Sequence, residues 1–98
     1  MFPRTIPADE ALALGLVSKV VARDEFDGVV TELATSLAAG PTLAYGSIRR
    51  AVAVSAGTDL ANALAHEAEL MALTGGSADH QIAVDAFLAK EQPTFSGR

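Results

Sequence analysis

The glycines and prolines decide most of what this chain can become. Gly15, Gly40-Pro41, Gly57, Gly75-Gly76 and Pro93 interrupt it at short intervals, and each break follows a stretch rich in helix-favouring residues. Alanine fills 20 of the 98 positions and aromatics fill five; alanine is the strongest helix former and lets helices approach closely. One β-branched run, Leu16-Val17-Ser18-Lys19-Val20-Val21, reads as a short strand or an extended link. A lone strand has no partner within the chain, so it must pair outside it or stay irregular. These features predict an all-α fold of about five short helices. The length suits one domain, residues 1–98, and falls below that for two.

The start and stop signals place the helices. Pro7 suits a first helical position, with Asp9 and Glu10 in the first turn and Gly15 ending the helix in a left-handed cap. Asp24 is a natural N-cap for a helix whose Phe26, Val29, Val30, Leu33 and Leu37 form one apolar stripe. Gly40-Pro41 stops it and Thr42 can cap the third helix, which carries Leu43, Ile48, Ala51 and Val52 on one side and Arg49 and Arg50 near its middle. Thr58 or Asp59 caps a fourth helix running to about Thr74, and Ser77 caps a last one ending near Lys90.

Composition excludes several function classes. Seven Lys and Arg against 12 Asp and Glu leave a net charge of −5, the wrong sign for a general nucleic-acid binder. Without cysteine there are no disulfides, no thiolate metal ligands and no cysteine nucleophile. No apolar run approaches a membrane span, and no basic-then-apolar leader opens the sequence. The expectation is a mildly acidic domain of a reducing, cytoplasmic compartment, with no nucleic-acid or membrane partner.

Convergent chemistry is scarce. Asp9-Glu10 and Glu67-Ala68-Glu69 are close carboxylate pairs on predicted helices, and neighbours one or two apart on a helix diverge by about 100° and 200°. His66-Glu67 resembles the start of a zinc-protease helix, but position 70 is Leu where that motif needs its second His, so no metal site is expected. Gly75-Gly76-Ser77 lacks the lysine and spacing of a phosphate loop. No catalytic residue is assigned. Glu67 is the odd residue: it falls inside the stripe of Leu60, Leu64 and Met71, where a carboxylate needs a partner or a place at the edge. Arg49 or Arg50 is the expected partner, in a structural ion pair.

Three ordered stretches resemble one family. Ala8-Asp9-Glu10-Ala11-Leu12-Ala13-Leu14-Gly15-Leu16-Val17-Ser18-Lys19-Val20-Val21 resembles the A-x-E-A-x-x-x-G-L-V-x-x-V segment of the crotonase, or enoyl-CoA hydratase/isomerase, family. Leu37-Ala38-Ala39-Gly40-Pro41 with Ile48-Arg49-Arg50-Ala51 resembles its A-x-x-P and following K-x-A stretch. Asp85 to Arg98 resembles its closing A-F-x-x-K-R-x-P-x-F-x-G.

The resemblance implies the helical C-terminal part of a crotonase-like enzyme of acyl-CoA (fatty acid) metabolism, with the N-terminal α/β spiral core absent. That core would supply the oxyanion amides and the acid/base residues. The segment would serve in oligomerisation, as a dimer or trimer, and in covering the active site. No covalently bound cofactor is implied; coenzyme A enters as the thioester substrate of the parent enzyme. By the same resemblance Phe87 and Lys90 face the coenzyme A of a neighbouring subunit, and Met71 takes the place of an aromatic on the preceding long helix. From the residues alone, Phe87 reads as core and Lys90 as a helix-end cation. Ile82-Ala83 replaces the family's Glu-Gly, and Glu91 replaces an Arg, removing positive charge near the phosphate site. The alternative is a free-standing helical interaction module with no catalytic activity.

Overall fold

The computed structural model describes residues 3–98. Its elements are α1 (Ala8–Ala13), α2 (Phe26–Ala38), α3 (Thr42–Ser55), α4 (Leu60–Gly75) and α5 (Ala78–Ala89), and no strand occurs among the described residues. The Leu16–Val21 run is irregular and makes no ladder.

Local chemistry explains most helix ends. Asp59 caps α4, its carboxylate accepting from the Asn62 amide at 2.9 Å, and the Ser77 hydroxyl caps α5 by accepting from the His80 amide at 3.1 Å. Gly15 closes α1 at φ 71°; its amide donates to the Leu12 carbonyl at 3.0 Å and the Leu16 amide to Ala11 at 2.9 Å. That bond pair needs one left-handed residue, which glycine adopts at no steric cost. Three starts differ from expectation by a residue or so. Pro7 is extended and precedes the helix, its carbonyl accepting from the Ala11 amide. A turn over residues 23–25 displaces Asp24, so that the Glu25 carbonyl takes the first bond of α2, from Val29. Pro41 sits at the cap of α3 with Thr42 as its first helical residue.

The chain divides into two compact units, one ending at Leu33 and the other spanning Ala34–Arg98. In the first unit α1, residues 17–21 and the first turns of α2 enclose an open apolar groove of about 470 Å³ walled by Val17, Val20, Phe26 and Val30. Neither α1 nor α2 contains a buried residue. In the second unit α3 packs along α4, and α4 more sparingly on α5.

Burial is thin. Leu70 is the one buried apolar residue among the described residues; Ser47 and Asp79 are the buried polar ones. No helix is long and apolar enough to cross a membrane.

The seam of α4 does not follow its apolar stripe. Its least exposed residues are Ala63, His66, Leu70 and Thr74, spaced by three and four. The Leu60, Leu64, Met71 stripe lies on the outer side, at 74%, 54% and 68% exposure. Small residues on α3, Ala44, Ser47 and Ala51, leave room for Leu70 and His66 of α4, and the other long apolar side chains of α4 flank the seam.

Candidate functional site

Two places in the second unit gather chemistry: the start of α5 with the C-terminal tail, and the free end of α5. Asp79, in the first turn of α5, is only 3% exposed. Its Oδ1 accepts from the Ser96 amide at 2.6 Å and the Ser96 hydroxyl at 3.0 Å, and its Oδ2 accepts from the Gly97 amide at 2.9 Å. The Asp79 amide in turn donates to the Arg98 carbonyl at 2.9 Å. Burial pushes the Asp79 carboxyl up, but the Ser96 amide, the Ser96 hydroxyl, the Gly97 amide and the Arg98 charge together outweigh it and hold the carboxyl below its ordinary value. Beside this cluster a cavity of about 210 Å³ is lined by Ala44, Thr74, His80, Ala83 and Phe95.

At the other end of α5, Phe87 and Leu88 are 81% and 74% exposed. The Lys90 amide donates to the Phe87 carbonyl at 3.2 Å and the Glu91 amide to Ala86 at 2.9 Å. This repeats the bond pair that closes α1, with lysine in the left-handed position (φ 58°, ψ 37°) where glycine would be unstrained. Phe87 and Lys90 therefore share one turn at an exposed tip, and neither is core. Met71 sits elsewhere, on α4, where it lines a groove of about 260 Å³ with Ala44, Ile48, Glu67 and Leu70.

Glu67 does not pair with Arg49 or Arg50. Among the described residues Arg4 and Glu10 form an ion pair and His66 approaches Glu69, and Glu67 is exposed at the edge of the α3–α4 groove. The reason is the seam itself: with Leu70 and His66 inward, Glu67 is turned out to water and needs no partner. Arg4 Nη1 donates to Glu10 Oε2 at 2.8 Å, which holds the Glu10 carboxyl below its ordinary value. That pair is exposed and contributes little. His66 Nδ1 lies 3.6 Å from Glu69 Oε2, while its Nε2 is buried without a hydrogen-bond partner. No group of three or more His, Asp or Glu among the described residues is placed to hold a metal ion.

Asp79 was not singled out by sequence reasoning, because its partners lie 17 and 18 residues away and an acid in a first helical turn is ordinary. The left-handed Lys90 carried no signal either; a glycine there would have been legible, and a lysine is not.

Comparison with known proteins bears on all of this. The enoyl-CoA hydratase/isomerase family model matches residues 1–98. A probable enoyl-CoA hydratase of Rhodobacter capsulatus is 36% identical over 98 residues, which is 100% of this chain and 38% of the relative. The 1,2-epoxyphenylacetyl-CoA isomerase of Escherichia coli is 33% identical over 93 residues, 95% of this chain and 36% of that protein. A crystal structure from Mycobacterium abscessus, titled as an enoyl-CoA hydratase/isomerase, superposes with a TM-score of 0.94 at 39% identity, covering 97% of this chain and 36% of that one. The chain thus spans little more than a third of the length of the relatives it matches. With an all-helical structure, three matching sequence stretches and a family model covering its whole length, the chain belongs to the enoyl-CoA hydratase/isomerase family.

Proposed function

We propose that this chain is the C-terminal oligomerisation and active-site-covering domain of an enoyl-CoA hydratase/isomerase-like enzyme of acyl-CoA metabolism. The observation that carries the reading is the scarcity of core: one buried apolar residue among the described residues, against exposed Phe26, Val30, Leu33, Leu37, Leu60, Leu64, Met71, Phe87 and Leu88. Apolar surface on this scale is uncommon on soluble monomers and marks a surface made to be covered. Neighbouring copies and the remainder of the family fold are the coverings in this reading, and the share of the relatives' length left unmatched supports it.

Phe87 and Lys90, with Met71 on the neighbouring helix, are the residues proposed to face coenzyme A. An exposed aromatic covers an adenine face, and an ammonium one turn on answers a phosphate. The chemistry itself, stabilising a thioester oxyanion and moving protons, would lie with groups outside this chain.

Sedimentation of the chain at micromolar concentration tests the reading. A concentration-dependent dimer or trimer is expected, since a closed symmetric assembly is the simplest way to cover such surfaces. A folded monomer of 10.1 kDa at all concentrations would overturn it and favour a free-standing helical module.

A further inference from the structure

We propose that Asp79 is a positioning residue for the far end of α5: by holding residues 96–98 across the start of that helix, it sets the direction in which α5 carries Phe87, Leu88 and Lys90. The consequence for ligand binding rests on the acyl-CoA reading above; the latch itself does not.

Most helices are oriented by an apolar stripe. In α5 the larger apolar residues Val84, Phe87 and Leu88 share the outer, exposed face, the inner face offers only Ile82, Ala83 and Ala86 beside Asp79, and the helix packs only lightly on α4. Its one buried residue is Asp79. The orientation of α5 therefore depends on polar bonds at its first turn. Those bonds are numerous: one carboxylate gathers three donors, and the Asp79 amide is used as well.

The tail is also held from its other side. Gly97 has φ 79°, and a Cβ added there would fall 2.8 Å from the Thr42 hydroxyl oxygen. The tail is thus wedged between the start of α3 and the start of α5. Asp79 references α5 to α3, the helix along which α4 makes its main contact. Releasing the tail would strip the buried Asp79 carboxylate of its three donors, so the arrangement resists partial release.

The test uses the 98-residue chain, isotopically labelled, followed by amide exchange and amide chemical shifts. In the native chain the Ser96 and Gly97 amides are expected to be protected. Asp79→Asn should speed their exchange at least tenfold and move the amide signals of Val84 to Lys90, with those of α3 unchanged. Gly97→Ala attacks the same wedge with the carboxylate intact and should move the same Val84 to Lys90 signals; Ser96→Ala should do so to a smaller degree. Should Asp79→Asn unfold the unit, these two variants decide alone. Tail amides that stay protected in Asp79→Asn, or a freed tail with Val84 to Lys90 signals unmoved, would overturn the proposal.

None of these readouts involves a ligand. In the longer enzyme, Asp79→Asn should raise KM for acyl-CoA several-fold with kcat within twofold, and Lys90→Ala is the separate control for the coenzyme A reading. KM unchanged in Asp79→Asn but raised in Lys90→Ala would overturn the positioning role. KM unchanged in Lys90→Ala would count against the coenzyme A reading and leave the latch to the exchange data.

Discussion

Truncating Leu70 separates the residue that holds this chain together from those that hold it to something else. Leu70 is 8% exposed at the α3–α4 seam, whereas Leu64, on the same helix, is 54% exposed and Leu60 is 74% exposed. A buried CH₂ contributes about 0.8 kcal/mol, so the methyl and methylene groups lost in Leu70→Ala carry about 2.4 kcal/mol of transfer free energy before any cavity is counted. Incomplete relaxation around the void brings the expected loss to about 3 kcal/mol. Scaled by exposure, the same truncation costs about 1 kcal/mol at Leu64 and about 0.6 kcal/mol at Leu60. At roughly 0.05–0.15 kcal/mol per residue, a unit the size of Ala34–Arg98 has roughly 3–10 kcal/mol to lose. Leu70→Ala therefore removes a large share of it. Urea unfolding followed by helical circular dichroism, at concentrations where sedimentation shows a single species, measures all three variants on one scale. Leu64→Ala and Leu60→Ala should keep a near-native midpoint yet weaken self-association, and Leu70→Ala should do the reverse. Equal losses of midpoint for Leu64→Ala and Leu70→Ala in the monomeric state would refute the assignment of the outer stripe to intermolecular contact.

Four further outcomes are expected. The chain by itself should show no hydration of enoyl-CoA above background in a preparation free of host enzyme, because no acid/base constellation is present among its described residues; turnover would count against the proposed function. Gly15→Ala should destabilise the end of α1 by about 1–2 kcal/mol, the cost of a left-handed Cβ, seen as faster amide exchange at Leu16. In the longer enzyme, Phe87→Ala and Lys90→Ala should weaken acyl-CoA binding, the lysine change more at low salt, and equal affinities would return both residues to a structural role. The latch should be acid-labile in one window only. The Asp79 carboxyl lies below its unfolded value in the folded chain, so its contribution is fully present above about pH 4 and is lost as pH falls through the lower folded value. Arg98 on the tail and His80 on α5 are the charged or titratable neighbours, and Asp79→Asn should abolish the acid dependence of tail exchange.

The chain's own residues settle its helices. Asp59, Ser77, Gly15 and the Gly-Pro breaks act on backbone groups three or four residues away, so their effects can be read without knowing what lies across from them. The family is legible for a related reason: its motifs are strings of neighbours. Which face of α4 would be covered was not available at that range. By hydropathy Leu60, Leu64 and Met71 mark the inner stripe, yet the seam runs through Ala63, His66, Leu70 and Thr74. The small residues of α3, Ala44, Ser47 and Ala51, receive Leu70 and His66, so here the apolar stripe of α4 does not identify the buried side. Glu67 follows that choice: turned out to water, it keeps its charge without Arg49 or Arg50. Asp79 makes the contrast sharpest, because its carboxylate is satisfied by donors 17 and 18 residues away. Only the fold brings the tail back to the start of α5, and no rule of local spacing anticipates a bond made by that return.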